Sequence, residues 1–198
     1  MKIFLTLFVL FFSSSGFAGD VSDFEIEGIS LGDNLLDHYT LEEINNAYMY
    51  KYKNDEFRYY ILYPESEKNY DFVQITIKSV NEFTNSNKME IHGISGSIRY
   101  YDNISDCYPK QDIIKKEFDL FFEIDGITNS GFHAIDKTNK STYRDVQYFL
   151  DDNFIYANVS IFCYDMSKEF EDKGFKDQLQ VSIDTQDFLK FINEVNWE

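Results

Sequence analysis

Cys107 and Cys163 are the two cysteines of the chain, and the segments that carry them have different hydrophobic periods. Ile114, Phe118, Phe121 and Phe122 fall on one stripe of a helix predicted over residues 105–123, and Cys107 lies on that stripe one heptad before Ile114. Around Cys163, Ile155, Ala157, Val159 and Ile161 recur at every second position, the period of a strand with one buried face. Both thiols therefore point to where a helix meets a sheet. In an oxidising compartment such a pair closes into a disulfide, which ties the helix across the sheet. The alternative is a thiol oxidoreductase using Cys107 and Cys163, because a thiol near a helix N-terminus has a lowered pKa; no C-x-x-C spacing accompanies it.

The compartment is read from the first residues. Lys2 is a positive n-region, residues 3–12 are an apolar stretch, and Gly16-Phe17-Ala18 is a small-x-small cleavage site. The apolar stretch is too short to span a bilayer. The expectation is a signal peptide over residues 1–18, cut after Ala18, and a single α+β domain over residues 19–198 exported to the periplasm. No cysteine follows the cleavage site to accept a lipid, so no membrane anchor is expected.

The formal charge is −17. Phosphate recognition needs clustered Lys and Arg, so nucleic acid is excluded as a partner class, and anionic membrane surfaces are disfavoured for the same reason. An acidic surface maintains solubility and steers a basic protein towards itself. With 20 Phe and 15 Tyr, the composition favours pleated sheet. An AT-rich genome writes the same residues by codon bias, so they say nothing about activity.

Residues 23–30 alternate and then break at Gly28, which predicts a short strand. Thr40 and Glu43 have capping-box spacing and start a helix at Thr40, after a shorter helical turn over residues 34–38. Runs 57–63, 72–80 and 88–101 read as an antiparallel meander, with a β-bulge near Gly93 where the apolar phase slips. The helix over 105–123, with Ser105 as its N-cap, leads to strands at 132–135, 142–150 and 154–164. The last two are joined by a tight hairpin at Asp151-Asp152-Asn153. Beyond a polar link over 167–177, Leu179, Val181 and Ile183 alternate as one more strand, and a helix runs from Thr185. The fold class is α+β, an antiparallel sheet of two meanders with helices packed on one face. The order helix-meander, helix-meander leaves two similar halves open as an arrangement, without a residue-level repeat to support duplication.

Gly28-Ile29-Ser30-Leu31-Gly32 matches the G-x-S-x-G of a nucleophile elbow, and a serine hydrolase using Ser30 is the enzyme alternative. The elbow belongs inside a parallel sheet, whereas one short strand precedes Ser30 and the later strands read antiparallel. His38, His92 and His133 lack metal-binding spacing, and the acidic clusters at 151–152 and 102–106 lack the order of a calcium loop. The Gly93-to-Ser97 run precedes no helix and makes no phosphate cradle. No metal, cofactor or catalytic residue is expected. Phe154, Tyr156, Phe162 and Tyr164 face away from the Cys163 side; they are either covered by another element or form a binding surface.

The segments DFEIEGISLGDNLLDHY, IHGISGSIRYYDN, KSTYRDV and CYDMSKEFEDKGFKDQLQVSI resemble a family of uncharacterised exported proteins from AT-rich marine bacteria. The likeness runs through nearly all of the mature chain and implies no activity. The G-x-S-x-G-D-x-L turn is also similar to small envelope domains of the outer-membrane-assembly type. Those domains start with a lipidated cysteine, which is missing here, so nothing carries over. The expected function is a non-catalytic periplasmic binding or interaction protein, one version being an acidic inhibitor of a basic envelope-attacking enzyme.

Overall fold

A computed structural model describes residues 24–52, 56–63, 69–79, 89–101, 103–152 and 155–194, with main chain alone at 151, 152, 155 and 156. The strands are β1 (Tyr48–Lys51), β2 (Phe57–Leu62), β3 (Phe72–Lys78), β4 (Ile91–Tyr100), β5 (Ile127–Phe132), β6 (Thr142–Asp152), β7 (Ile155–Asp165) and β8 (Asp177–Thr185). The helices among these residues are α1 (Leu35–His38), α2 (Leu41–Asn46), α3 (Cys107–Phe122), α4 (Lys168–Glu171) and α5 (Gln186–Glu194). The eight strands among the described residues lie in one antiparallel sheet of order β1-β2-β3-β4-β8-β7-β6-β5, so β8 sits at the centre against both β4 and β7. The class is α+β.

Local chemistry explains most boundaries. The Thr40 side chain accepts the Glu43 amide while the Glu43 carboxylate accepts the Thr40 N–H at 2.7 Å, a closed capping box that starts α2. Asn34 caps α1 and its side chain also accepts the Met89 amide at 3.0 Å, pinning that turn to the start of β4. The β3–β4 register shifts between Thr76 and Ile77, opposite Gly93 and Ile91, which is the bulge expected near Gly93.

Several elements differ from expectation. Residues 24–30, the described part of the strand expected over 23–30, form no strand: Ile26 and Ile29 exchange both backbone hydrogen bonds at 3.1 Å across Glu27 and Gly28, both at positive φ, in a tight turn whose isoleucines are buried. The helix after Asn103 begins with a 3-10 turn, Ile104–Asp106, and Asn103, not Ser105, is its cap, accepting the Ser105 amide at 3.1 Å. The expected strand at 132–135 lies earlier, as β5. β1 and α4 carried no periodic signal. The hairpin of β6 and β7 closes through Asp152 opposite Ile155. Asn153 of the expected turn, Phe154 and residues 1–18 lie outside the described residues.

Alternation sorts the sheet into two faces. On one, Ile75, Ile94, Ile183, Val159 and Tyr148 form a continuous row by register, and α3 packs over this core with Ile114, Phe118 and Phe122. Cys107 in α3 and Cys163 in β7 are bonded there, with Cα atoms 6.0 Å apart, and both are 0% exposed. Gln111, one turn on, donates to the carbonyls of Arg144 at 3.0 Å and Ile161 at 2.7 Å. The opposite face carries α5: Phe188 and Phe191 pack on Phe57, with ring centroids 5.2 and 4.9 Å apart. The expectation of helices on one face is therefore corrected. Phe57 and Gly93 alternate with the α3-facing residues, so what α5 buries lies on the second side.

Gly96 in β4 lies under the Tyr70 ring, three atoms of which are 2.6 to 2.7 Å from where a Cβ would be. Gly96→Ala is expected to destabilise the protein by about 1–3 kcal/mol through overpacking. Urea unfolding checks this, and a Tyr70→Leu background should remove most of the penalty.

Candidate functional site

The α5-bearing face acquires its shape from which residues the register aligns. Gln74, Ser95, Ser182, Ser160 and Gln147 stand side by side across β3, β4, β8, β7 and β6. On either side run two more rows, Thr76-Gly93-Asp184-Asn158-Phe149 and Phe72-Ser97-Gln180-Phe162-Asp145. Serine and glycine at the middle strands leave little bulk above the backbone, whereas aromatic side chains and α5 rise around them. The result is an open cleft of about 570 Å³, within the range of small-molecule sites. Phe149, Phe162 and Tyr164 line it on the β6–β7 side, and Tyr52, Phe188 and Ile192 line the α5 end.

The floor is a hydrogen-bonded chain. The Ser160 and Ser182 hydroxyls are 2.7 Å apart, and Ser182 also bonds the Asp184 carboxyl. Asp184 lies across Gly93, where a Cβ would collide with its Oδ1 and would also sit 3.4 Å from Phe188. Glycine at this register position is what lets the carboxyl lie flat in the cleft. Burial pushes the Asp184 carboxyl up to about 7, and the Ser182 hydrogen bond only partly opposes this. Burial likewise raises the Tyr52 and Tyr164 phenols well above their usual range, Asp184 adding to both, so each stays a neutral donor. No Lys, Arg or His lines the cleft among the described residues.

A raised carboxyl has a definite thermodynamic sign. The unfolded chain titrates this group near 4, so between about pH 4 and 7 the folded state holds the extra proton and stability falls as pH rises. Asp184→Asn mimics the protonated form and is expected to stabilise the protein by up to about 4 kcal/mol at pH 8, the ~3 pH units between the two values at about 1.4 kcal/mol each. At pH 4 the difference should vanish, and melting curves at the two pH values check it.

Of the residues singled out from the sequence, Phe162 and Tyr164 line the cleft, stacked on each other with centroids 5.0 Å apart and planes 4° from parallel. Both are half-buried. Phe154 lies outside the described residues, as does the Tyr156 side chain. Cys107 and Cys163 are sealed in the opposite core, which removes the access a redox thiol needs. Ser30 is on a turn and is not among the cleft's lining residues: its hydroxyl donates to the Phe24 carbonyl at 3.4 Å. Asp33 accepts the Ser30 backbone amide at 3.0 Å and holds His38 Nε2 at 2.8 Å, so the acid stands between serine and histidine, whereas a hydrolytic triad places the histidine between the serine hydroxyl and the acid. His92 is 3.3 Å from the Thr185 hydroxyl and edge-on to Phe57, and His133 packs on Tyr164. No three His, Cys, Asp or Glu among the described residues are grouped to hold a metal.

The sequence reading missed the cleft floor. Ser182 and Asp184 alternate with Val181 and Ile183, which by itself means only one wet face. The usable signal was that small and amide side chains occupy that face on β4, β7 and β8 together.

No described helix is long and apolar enough to cross a membrane, and a disulfide-bonded chain of this kind is compatible with export. Comparison of the chain with family models, with curated proteins and with solved structures finds no match.

Proposed function

We propose that this chain is a non-catalytic periplasmic binding protein, released from its signal peptide, that takes its guest in the cleft on the α5-bearing face. The observation that carries the reading is the alignment of Ser95, Ser182 and Ser160 across the three central strands, which opens a polar trough between aromatic walls. Hydroxyls and amides on a rigid sheet offer donors and acceptors at fixed spacing, the composition of a recognition surface. The Ser160 and Ser182 hydroxyls bond each other, and among the described lining residues Asp184 is the one carboxyl, without an imidazole beside it. This supports binding over group transfer. The likeness to exported proteins of marine bacteria supports the compartment, and the −17 charge supports a basic protein as the partner class. The strand order fits two four-stranded meanders, similar halves joined at β4 and β8.

The test is retention. Immobilised mature protein is expected to hold a guest from periplasmic extract at low ionic strength and to release it chemically unchanged at high salt. Gln147→Trp and Gln180→Trp, which fill the cleft, are expected to abolish retention while leaving the melting temperature within a few degrees. Turnover of the guest, no capture at all, or capture indifferent to both variants overturns the reading.

A further inference from the structure

We infer that the cleft is built for an organic cation, an alkylammonium or guanidinium group, with Asp184 as its counter-ion and Tyr52, Phe188 and Phe149 as flanking rings. The inference rests on the cleft being the binding site and adds the class of guest. Three observations point the same way. First, Asp184 occupies the floor by virtue of Gly93, one register step from Asn158 and two from Phe149, with Tyr52 and Phe188 in the same lining, so an amide and aromatic side chains surround the acid. A cation over aromatic rings is attracted by the ring quadrupole, most strongly where water is excluded.

Second, the lining holds no Lys, Arg or His among the described residues, so the Asp184 carboxylate lacks a protein cation there and an anionic guest would meet no positive charge. Ser182 supplies one hydroxyl donor, which leaves acceptor capacity on a group able to take several bonds. An ammonium has three N–H donors and a guanidinium five, and either restores the charge balance that burial removes. Third, same-face rows are about 7 Å apart along a strand, so a chain starting at Asp184 crosses the serine row and reaches Gln180 and Phe162 within about 14 Å. Gln147, Asn158 and Gln180 offer carbonyl oxygens along that path to further N–H groups.

Two sources carry this chemistry: a free di- or polyamine, or a lysine or arginine side chain of a basic protein. Titration calorimetry on the mature protein uses putrescine, the peptide acetyl-Gly-Gly-Lys-Gly-Gly-amide, and the uncharged isostere 1,4-butanediol. Putrescine or the peptide is expected to bind at least tenfold tighter than the diol to the wild-type protein, a comparison that needs no variant. Asp184→Asn is expected to weaken the cation by about 10- to 100-fold, the worth of a hydrogen bond to a charged group. Tighter binding of the peptide assigns a protein source, and tighter binding of putrescine a free amine; either supports the inference. Equal binding of diol and diamine, no binding of either cation, or cation binding unchanged in Asp184→Asn overturns it. Neutral oligosaccharide bound in the cleft and blocked by Gln147→Trp would overturn this inference while leaving the binding function standing.

Discussion

Replacing Cys107 and Cys163 together by alanine is expected to lower the unfolding free energy by about 4 kcal/mol, a large share of the 5–15 kcal/mol typical of a domain. The bond closes a loop with a sequence separation of 56, and the chain-entropy relation for such a loop gives that magnitude. Most of the effect lies in the unfolded chain, which gains freedom once the link is gone. The folded side adds a smaller term, because both sulfurs are fully buried and their removal leaves a space between the first turn of α3 and β7. Urea unfolding of the oxidised protein, the reduced protein and the double variant measures it. Reduced wild type and double variant should agree within about 1 kcal/mol, since both lack the constraint. A loss below about 1 kcal/mol would mean that native strain cancels the entropy gain.

Phe57→Ala is expected to cost about 3–5 kcal/mol and to weaken guest binding in the same variant. Phe57 is fully buried and is the ring on which α5 seats: Phe188, Phe191 and His92 all pack on it, with centroids 4.9 to 5.5 Å apart. Truncation opens a cavity between sheet and helix, and α5 supplies Phe188, Leu189 and Ile192 to the cleft. Phe118→Ala is the control. Phe118 is equally buried in the other core, against Phe24, Phe122 and Tyr148, so a similar stability loss should leave guest affinity unchanged. Hydrogen exchange of the α5 amides should accelerate in the Phe57 variant and not in the Phe118 variant. If both variants lose guest binding alike, α5 is not a specific wall of the cleft.

The elements legible in the sequence are those whose signal is local. The Thr40 and Glu43 pair, the stripe of Ile114, Phe118 and Phe122, and the alternation of Leu179, Val181 and Ile183 each express a contact within one turn or one strand. β1 escaped notice because all four of its residues are exposed, so no alternation marks it; it is held by pairing with β2 and by Tyr50 stacked 5.1 Å from Tyr59. β5 is the other edge, exposed along almost its whole length. Its Asn129, Ser130 and Gly131 look like turn residues, and an edge strand tolerates them because one side of its ladder is open.

By itself the sequence determined the α+β class, the Thr40–Glu43 cap of α2, the apolar face of each central strand and the meeting of Cys107 with Cys163. Each of those follows from a period or a cap that neighbouring residues impose on one another. Only the tertiary structure decided that β8 enters the centre of the sheet, that α5 takes the face opposite α3, and that Ser95, Ser182 and Ser160 stand in one line with Asp184 beside them. The physical reason is register: strand alternation says which residues share a face, but a shift by two along β8 keeps every residue on its face and moves the carboxyl by about 7 Å. That choice is made by long-range pairing, which no single segment encodes.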